Sequence, residues 1–182
     1  GAITASGAIE TGCSAVAFDS ALPVGVGTGT STDPRAAGRA AATEALFGVD
    51  HEGRHAALLL FVDSESGDQA EIVAGAYEIA GGRIPLAGGA AGGDVSAQFA
   101  DGESLSGSVV AVALVSSTPI GVGIGHGCVP RGAPSIVTRS RDRVVLQLDG
   151  RPAGPVYLEK RGLAAMPVGD ADFDAVAKAH RL

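Results

Sequence analysis

Hydrophobic positions in the first half of the chain switch between strand-like and helix-like spacing. Short runs rich in valine and alanine at residues 14–18 and 22–27 predict two strands with a tight connection. Residues 35–47 are rich in alanine and follow Thr32-Asp33-Pro34, which offers a helix N-cap and a proline for the first turn. These signals predict a helix that ends at Gly48.

A second series of strand and helix patterns follows. The continuous apolar run at residues 56–62 is typical of a buried strand. Residues 68–80 have helical spacing, and the apolar face consists of Ile72, Val73, Ala76 and Ile79. A short strand at residues 84–87 then leads into a glycine-rich loop at residues 88–94. This order predicts a right-handed crossover unit whose strand ends share one sheet edge, the edge at which ligands bind in such folds.

Helical spacing is absent from the next part of the chain. Four apolar runs predict an antiparallel meander: residues 108–115, 120–124, 136–139 and 144–148. Helical spacing returns in the tail, at residues 156–160 and 173–180. The predicted fold class is therefore α/β (α+β), with a mixed sheet and two crossover helices followed by the meander.

Residues 13–37 resemble residues 109–133. At a constant offset of 96, twelve of the 25 aligned positions are identical. The shared Pro-x-Gly-Val-Gly-x-Gly register favours an internal pseudo-repeat, although abundant alanine, glycine and valine offer a simpler explanation. A true duplication would place Thr30 and His126 at matching positions, where they could line one pocket from two sides.

Charge and cysteine content exclude several classes of partner. The formal net charge of −7 argues against nucleic-acid binding, which needs clustered cations. The apolar runs are shorter than the roughly 20 residues of a membrane span. Cys13 and Cys128 are too few for a disulfide scaffold, so a cytoplasmic location is expected. Lysine occurs only at Lys160 and Lys178, which favours a GC-rich, prokaryotic genome.

Polar and glycine residues follow several of the predicted strands. The sequence predicts one ligand pocket lined by Thr30, Ser31, Thr32, Asp33, Asp63, Ser64, Gly88, Gly89, Gly92, Gly93, Asp94 and His126. Helix N–H groups and glycine amides suit a carboxylate, and Asp63 or Asp94 suits an ammonium group. Helix capping and tight turn packing remain alternative roles for the hydroxyl cluster and the glycines.

Two further motifs have weaker functional interpretations. His51-Glu52-Gly53-Arg54-His55 fits the H-E-x-x-H pattern, but it lies between a helix end and a strand, so a solvated loop is predicted. His126 and Cys128 would share a strand face, which leaves structural, ligand-contact, metal-ligand and Cys/His catalytic roles open. No other pattern indicates catalysis, and the chain is predicted not to be an enzyme.

Four segments in this order resemble the FIST domain family. They are VGVGTGTSTDP at residues 24–34, LLLFVD at 58–63, PLAGGAAGGD at 85–94, and SVVAVAL at 108–114 with GVGIGHG at 121–127. The resemblance extends to LDGRPA at residues 148–153. It implies residues 1–150 as an N-terminal-type sensory domain and residues 151–182 as the start of a C-terminal segment or a helical tail.

The resemblance to this family also implies a function. It implies an intracellular sensor that binds an amino acid or a similar small metabolite and acts on a downstream signalling domain or protein. It implies no catalysis and no resident cofactor. The alternative is a haem-binding nitric-oxide sensor with His126 as the axial ligand. The oligomeric state is left open, with a homodimer among the options.

Overall fold

The computed structural model describes residues 2–4, 7–9, 15, 17–19, 21–63, 66–91, 98–125, 132–141 and 144–163. The chain divides into two compact units, Gly1–Gly123 and Ile124–Leu182. None of the helices in these described ranges has the length and apolar content that a bilayer crossing requires.

The first unit contains eight strands and two α-helices among its described residues. In chain order they are β1 (Ala2–Thr4), β2 (Gly7–Ile9), β3 (Val24–Gly29), α1 (Pro34–Phe47), β4 (His55–Asp63), α2 (Gln69–Ala80), β5 (Leu86–Ala91), β6 (Gln98–Ala100), β7 (Glu103–Leu105) and β8 (Val109–Ser116). A 3₁₀ turn, Gly81–Arg83, follows α2. The two predicted helices are confirmed, with Asp33 and Asp68 as their N-caps.

The central sheet of this unit has the strand order β3-β8-β4-β5. β8 is antiparallel to both of its neighbours, and β4 and β5 are parallel. β3 and β4 therefore point the same way, so α1 crosses over β8 and α2 joins β4 to β5. The predicted mixed sheet with two crossover helices is confirmed.

The strand predicted at residues 108–115 is confirmed as β8, but it belongs to the central sheet and not to a meander. β8 lies between β3 and β4 and buries side chains on both faces, as its uninterrupted apolar sequence allows. Residues 120–124 have no regular secondary structure, and neither do residues 15 and 17–19. In the alignment of residues 13–37 with residues 109–133, β3 lies in the middle of the first segment and β8 lies at the start of the second. The sequence repeat therefore does not correspond to a repeated element in the described residues.

The core of the first unit lies between the sheet and the two helices. Alternate residues of β4 and β8 face α1 and α2, and the fully buried members include Leu58, Val109, Ala111, Ala113 and Val115. The helices contribute mostly alanine to this layer, with Ala37, Ala41, Ala42, Ala45, Ile72 and Ala76 almost completely buried.

Helix α1 packs directly on the backbone of β3. An ideal Cβ atom on Gly25, Gly27 or Gly29 would lie 2.0, 2.3 or 2.0 Å from the carbonyl oxygens of the residues facing them, Ala45, Ala41 and Ala37. Two strand residues rise about 6.8 Å and four helical residues about 6.0 Å, so one glycine meets each successive turn of α1. Glycine at alternate positions of β3 is therefore required by this close approach.

The contact between α1 and α2 uses the same device. A Cβ on Gly38 would lie 2.0 Å from the Ile72 carbonyl oxygen, and a Cβ on Gly75 would lie 2.0 Å from that of Arg35. The buried face of α2 is consequently centred on Ile72, Gly75, Ala76 and Ala80. The predicted face was wrong for Val73 and Ile79, which are 46% and 37% exposed.

The described residues of the second unit form a small antiparallel sheet and one helix. Its elements are β9 (Val137–Arg141), β10 (Val144–Leu148), β11 (Arg151–Pro152) and α3 (Ala153–Lys160). The predicted strands at 136–139 and 144–148 and the helix at 156–160 are confirmed. The helix predicted at 173–180 lies outside the described residues.

Two hairpins turn on Asp-Gly pairs. The β6–β7 loop is Asp101 and Gly102, with φ of 51° and 82°, and the β10–β11 loop is Asp149 and Gly150, with φ of 52° and 77°. Two consecutive positive φ values identify type I′ turns, which favour this pair of residues. The Asp149 carboxylate also accepts a hydrogen bond from the Ile136 N–H at 2.8 Å, which lowers the pKa of Asp149.

We expect Gly27→Ala to destabilise the first unit by roughly 2 to 3 kcal/mol, because the new methyl group must displace the α1 backbone. Gly89→Ala is the matched control, since a Cβ at Gly89 in β5 meets no atom within 4 Å. It should leave the free energy of unfolding within about 1 kcal/mol of the unchanged protein. Urea unfolding followed by circular dichroism measures both, and equal effects would contradict the proposed backbone contact.

Candidate functional site

Three strands of the central sheet end at one edge, here called the carboxyl edge. β3, β4 and β5 end there at Gly29, Asp63 and Ala91, and β8 begins there at Val109. Both helices also begin at this edge, because each follows a strand that ends there. The strand order β3-β8-β4-β5 therefore brings the predicted Thr30–Asp33 segment and Asp63 to the same edge, as the sequence predicts.

The two helix starts at the carboxyl edge lie side by side. Gly67, in the loop before α2, has φ of 95°, and a Cβ on it would lie 2.8 Å from Cγ of Pro34 at the start of α1. The Asp33 carboxylate accepts a hydrogen bond from the Arg35 N–H at 3.0 Å, and the Asp68 carboxylate accepts one from the Ala70 N–H at 2.9 Å. The helix starts thus place two carboxylates on neighbouring segments.

Three hydroxyl side chains, those of Thr30, Ser31 and Thr32, precede α1, and they differ in whether the fold already uses them in hydrogen bonds. The Ser31 hydroxyl accepts a hydrogen bond from the Asp33 N–H at 3.0 Å, so Ser31 and Asp33 have capping and turn roles. Thr30 and Thr32 are exposed, and within the described part of the chain their hydroxyls have no hydrogen-bond partner. Two hydroxyls at this edge can therefore bind a ligand without breaking a contact of the fold.

Asp63 has a structural position in this fold. Its side chain is fully buried, and one carboxylate oxygen accepts a hydrogen bond from the Gly107 N–H at 2.7 Å. Its backbone N–H donates to the Ser108 carbonyl at 3.0 Å, and its carbonyl accepts from the Ser66 N–H and hydroxyl. The residue fastens the loop after β4 to the start of β8, and its carboxylate does not reach the surface.

An apolar groove adjoins the carboxyl edge between α2 and the edge strand β5. It has a volume of about 260 Å³, and its lining includes Leu60, Val62, Val73, Leu86, Gly88 and Gly89. Gln69, in the first turn of α2, is a polar group in this lining. The groove can therefore hold a small apolar group beside the helix starts.

Gly88 and Gly89 belong to β5 rather than to the loop that the sequence predicts. Gly88 has φ of 152°, and a Cβ on it would lie 1.9 Å from the Leu60 carbonyl oxygen. Its absence of a side chain lets β5 pair with β4, whereas Gly89 faces open space. These two glycines are predicted from the sequence to lie in a loop whose backbone amides bind an anion. In the structure their backbone is part of β5, which pairs with β4.

Five predicted site residues lie outside the described residues. They are Ser64, Gly92, Gly93, Asp94 and His126, and Cys128 is outside as well. The arrangement of Thr30 and His126 across a pocket consequently remains a prediction. Among the residues that the structure does describe, no group of three or more His, Cys, Asp or Glu side chains could hold a metal ion.

Sequence reasoning missed three features of this edge. It gave no role to Asp68, to the apolar groove, or to Ser108, which is fully buried with a hydroxyl that has no hydrogen-bond partner among the described residues. The position of Asp68 before a helical pattern is a recognisable N-cap signal. No local sequence signal identifies the groove or the burial of Ser108, since both depend on strand order.

Comparisons with known proteins identify a family. A family model described as the FIST N domain matches residues 1–151. A search of curated proteins found no match. Among solved structures, a mutant of FtsZ from M. jannaschii is 13% identical with a TM-score of 0.36, and the alignment covers 52% of this chain and 27% of that chain. That likeness spans about a quarter of the FtsZ chain and supports no functional argument.

We expect Asp63→Ala to lower the free energy of unfolding by about 1 to 3 kcal/mol, because the partly buried Gly107 N–H loses its acceptor. Asp63→Asn keeps an acceptor oxygen and should lose less. Asp50→Ala is the control, since exposed Asp50 accepts a comparable backbone hydrogen bond from Glu52. Chemical denaturation compares the three variants, and an Asp63→Ala effect as small as that of Asp50→Ala would disprove the structural role.

Proposed function

This chain belongs to the FIST N domain family, a family of signal-transduction sensory domains, and we propose that it senses an amino acid or a similar small amine at the carboxyl edge. The observation that carries the proposal is the pair of carboxylate-capped helix starts beside an apolar groove. Ligands of open α/β sheets bind at this kind of edge, outside the carboxyl ends of the strands.

The carboxylates of Asp33 and Asp68 favour a cationic group. Each one accepts a backbone hydrogen bond at its helix start. In Asp33 this bond uses one oxygen atom, and a carboxylate has further acceptor sites for an ammonium group. An ammonium that bridges these two caps would be held by charge-assisted hydrogen bonds. In this proposal the Asp33 and Asp68 caps take the place of buried Asp63 as the partner of the ligand's amino group.

The hydroxyls of Thr30 and Thr32 suit the other polar end of the ligand. Both groups are exposed at the start of α1, where the positive end of the helix dipole favours a carboxylate. The groove beside α2 would receive the side chain, and its volume of about 260 Å³ fits a ligand below drug size. Ser64, Gly92, Gly93, Asp94 and His126 complete the proposed site.

Sensing at this edge would act on the helices rather than on a reaction. A ligand that binds both helix starts would fix the position of α1 relative to α2 at that end. Because the two helices are in close backbone contact at Gly38 and Gly75, a shift of the helix starts would move the rest of both helices. We propose that a downstream signalling domain or protein reads this change and that the domain works in the cytoplasm. The family is sensory rather than catalytic, and the proposal includes no chemical step.

Calorimetry with a panel of amino acids tests the proposal. We expect at least one amino acid to bind, and the double substitution Thr30→Ala with Thr32→Ala to weaken that binding about tenfold through lost hydrogen bonds. The fold should be unaffected, because the described structure uses neither hydroxyl. Thr43→Ala is the matched control, since the Thr43 hydroxyl bonds the Arg39 carbonyl within α1, away from the helix start.

Two outcomes would count against amino-acid sensing. One is a folded protein that binds no member of the panel, and the other is binding that the threonine substitutions leave unchanged. A Soret absorption band after addition of haem, lost in His126→Ala, would instead support the haem hypothesis of the sequence analysis.

A further inference from the structure

A second cavity lies at the opposite edge of the central sheet, where β4 begins and β8 ends. His55 and Ser116 are paired at this edge. The cavity has a volume of about 760 Å³, within the range of small-molecule sites. Its walls come from residues 51–56, the end of α2, residues 83–85 before β5 and residues 119–120, all within the first unit.

Cationic and titratable nitrogen groups dominate the polar part of this cavity. They are His51, Arg54, His55 and Arg83, and Glu52 is the one carboxylate in the lining. The remaining lining is mostly apolar, including Ile79, Ile84 and Ile120. We refer to this feature as the basic cavity. Its composition is opposite to that of the chain as a whole, which has a net charge of −7.

The two arginines of the basic cavity lack the carboxylate partners that Arg35, Arg39 and Arg151 have within the described residues. Arg35, Arg39 and Arg151 each lie within 2.7 to 3.4 Å of a glutamate oxygen. Among the described residues, no carboxylate is in ion-pair contact with Arg54 or Arg83. Their guanidinium groups can therefore bind an external anion without first giving up an internal one.

The loop that carries Arg54 is held by its own backbone. The Arg54 N–H donates to the His51 carbonyl at 3.2 Å, and Gly53 has φ of 67° in the turn between them. The His51 Nδ1 atom lies 3.2 Å from the Val49 carbonyl oxygen, which can only accept, so a hydrogen bond between them requires the proton on Nδ1. The Nε2 atom of His51 is left for another partner. The first four residues of the pattern that resembles H-E-x-x-H thus form a turn held by backbone contacts, and its last residue, His55, begins β4.

We propose that the basic cavity binds a small organic oxyanion that has an apolar body, such as an aromatic carboxylate or phosphate ester. The Arg54 and Arg83 guanidinium groups bind the oxyanion, for which their fork of N–H donors is well suited. The isoleucine side chains contact the apolar body. Glu52 and the carboxyl end of α2 contribute negative charge to the basic cavity, and the two guanidinium groups of Arg54 and Arg83 together exceed it.

Benzoate and phenyl phosphate are suitable probes, and benzamide is their neutral counterpart. We expect both anions to shift the amide NMR signals of residues 51–56, and benzamide to bind at least about tenfold more weakly. Higher salt concentration should weaken the binding of the two anions and leave the binding of benzamide unchanged, because the guanidinium groups are solvent-accessible and salt screens their charge. The stronger of the two anions identifies the preferred oxyanion.

Substitution of the arginines tests the site directly. The double variant Arg54→Gln with Arg83→Gln should bind both anions at least about tenfold more weakly than the unchanged protein does. The double variant with lysine at both positions should retain part of the affinity. Arg139→Gln is the control, because Arg139 belongs to the second unit and is unpaired in the described structure. Thermal melts check that each variant folds.

The results separate this proposal from amino-acid sensing at the carboxyl edge. Anion binding should persist in the Thr30→Ala, Thr32→Ala variant, and amino-acid binding should persist in the double glutamine variant. The proposal of a basic cavity is wrong if neither anion binds the folded protein, if benzamide binds as well as the anions, or if the double glutamine variant binds them as well as Arg139→Gln does.

Discussion

The close approach of backbone to backbone around α1 sets the geometry of the first unit. Gly25, Gly27 and Gly29 let α1 lie directly on β3, and Gly38 and Gly75 let it lie directly on α2. Contacts of this kind tolerate little sliding, because any residue larger than glycine would collide with a carbonyl group. The relative positions of the sheet and both helices follow from five missing side chains.

This constraint also fixes the two edges of the sheet. Because α1 is held along its length, Pro34 in its first turn meets Gly67 in the loop before α2, and the segments that contain the caps Asp33 and Asp68 adjoin at the carboxyl edge. The same helices deliver Arg83 to the opposite edge, beside the loop that contains Arg54. One edge therefore has the two helix-cap carboxylates, and the other has the guanidinium groups of Arg54 and Arg83, which form no ion pair with any described carboxylate.

Local sequence signals predict the helices and their caps well, whereas features that depend on strand order are not predictable in this way. Asp33, Pro34 and Gly48 mark α1 through nearest-neighbour chemistry. The insertion of β8 between β3 and β4 requires pairing across about 50 residues or more, so the burial of Asp63 could not be foreseen.

Other differences between sequence and structure had readable signals. The Asp101-Gly102 pair is a hairpin signal in itself, and the uninterrupted apolar run of β8 favours a central strand over a meander strand. The extent of β5 was harder to predict, because glycine is uncommon in strands in general. Glycine occurs at position 88 because the Leu60 carbonyl lies too close for any side chain. At that position the packing of β5 on β4 decides the structure, and the low strand propensity of glycine does not.

The alanine and glycine layer has a thermodynamic consequence. The heat-capacity change of unfolding scales with the apolar area that becomes exposed, and a layer of small side chains buries less of that area than one of leucine and isoleucine. The stability of the first unit should therefore vary slowly with temperature. For a sensory domain, such a flat stability curve means that the folded fraction available to bind ligand stays nearly constant when the surroundings warm or cool.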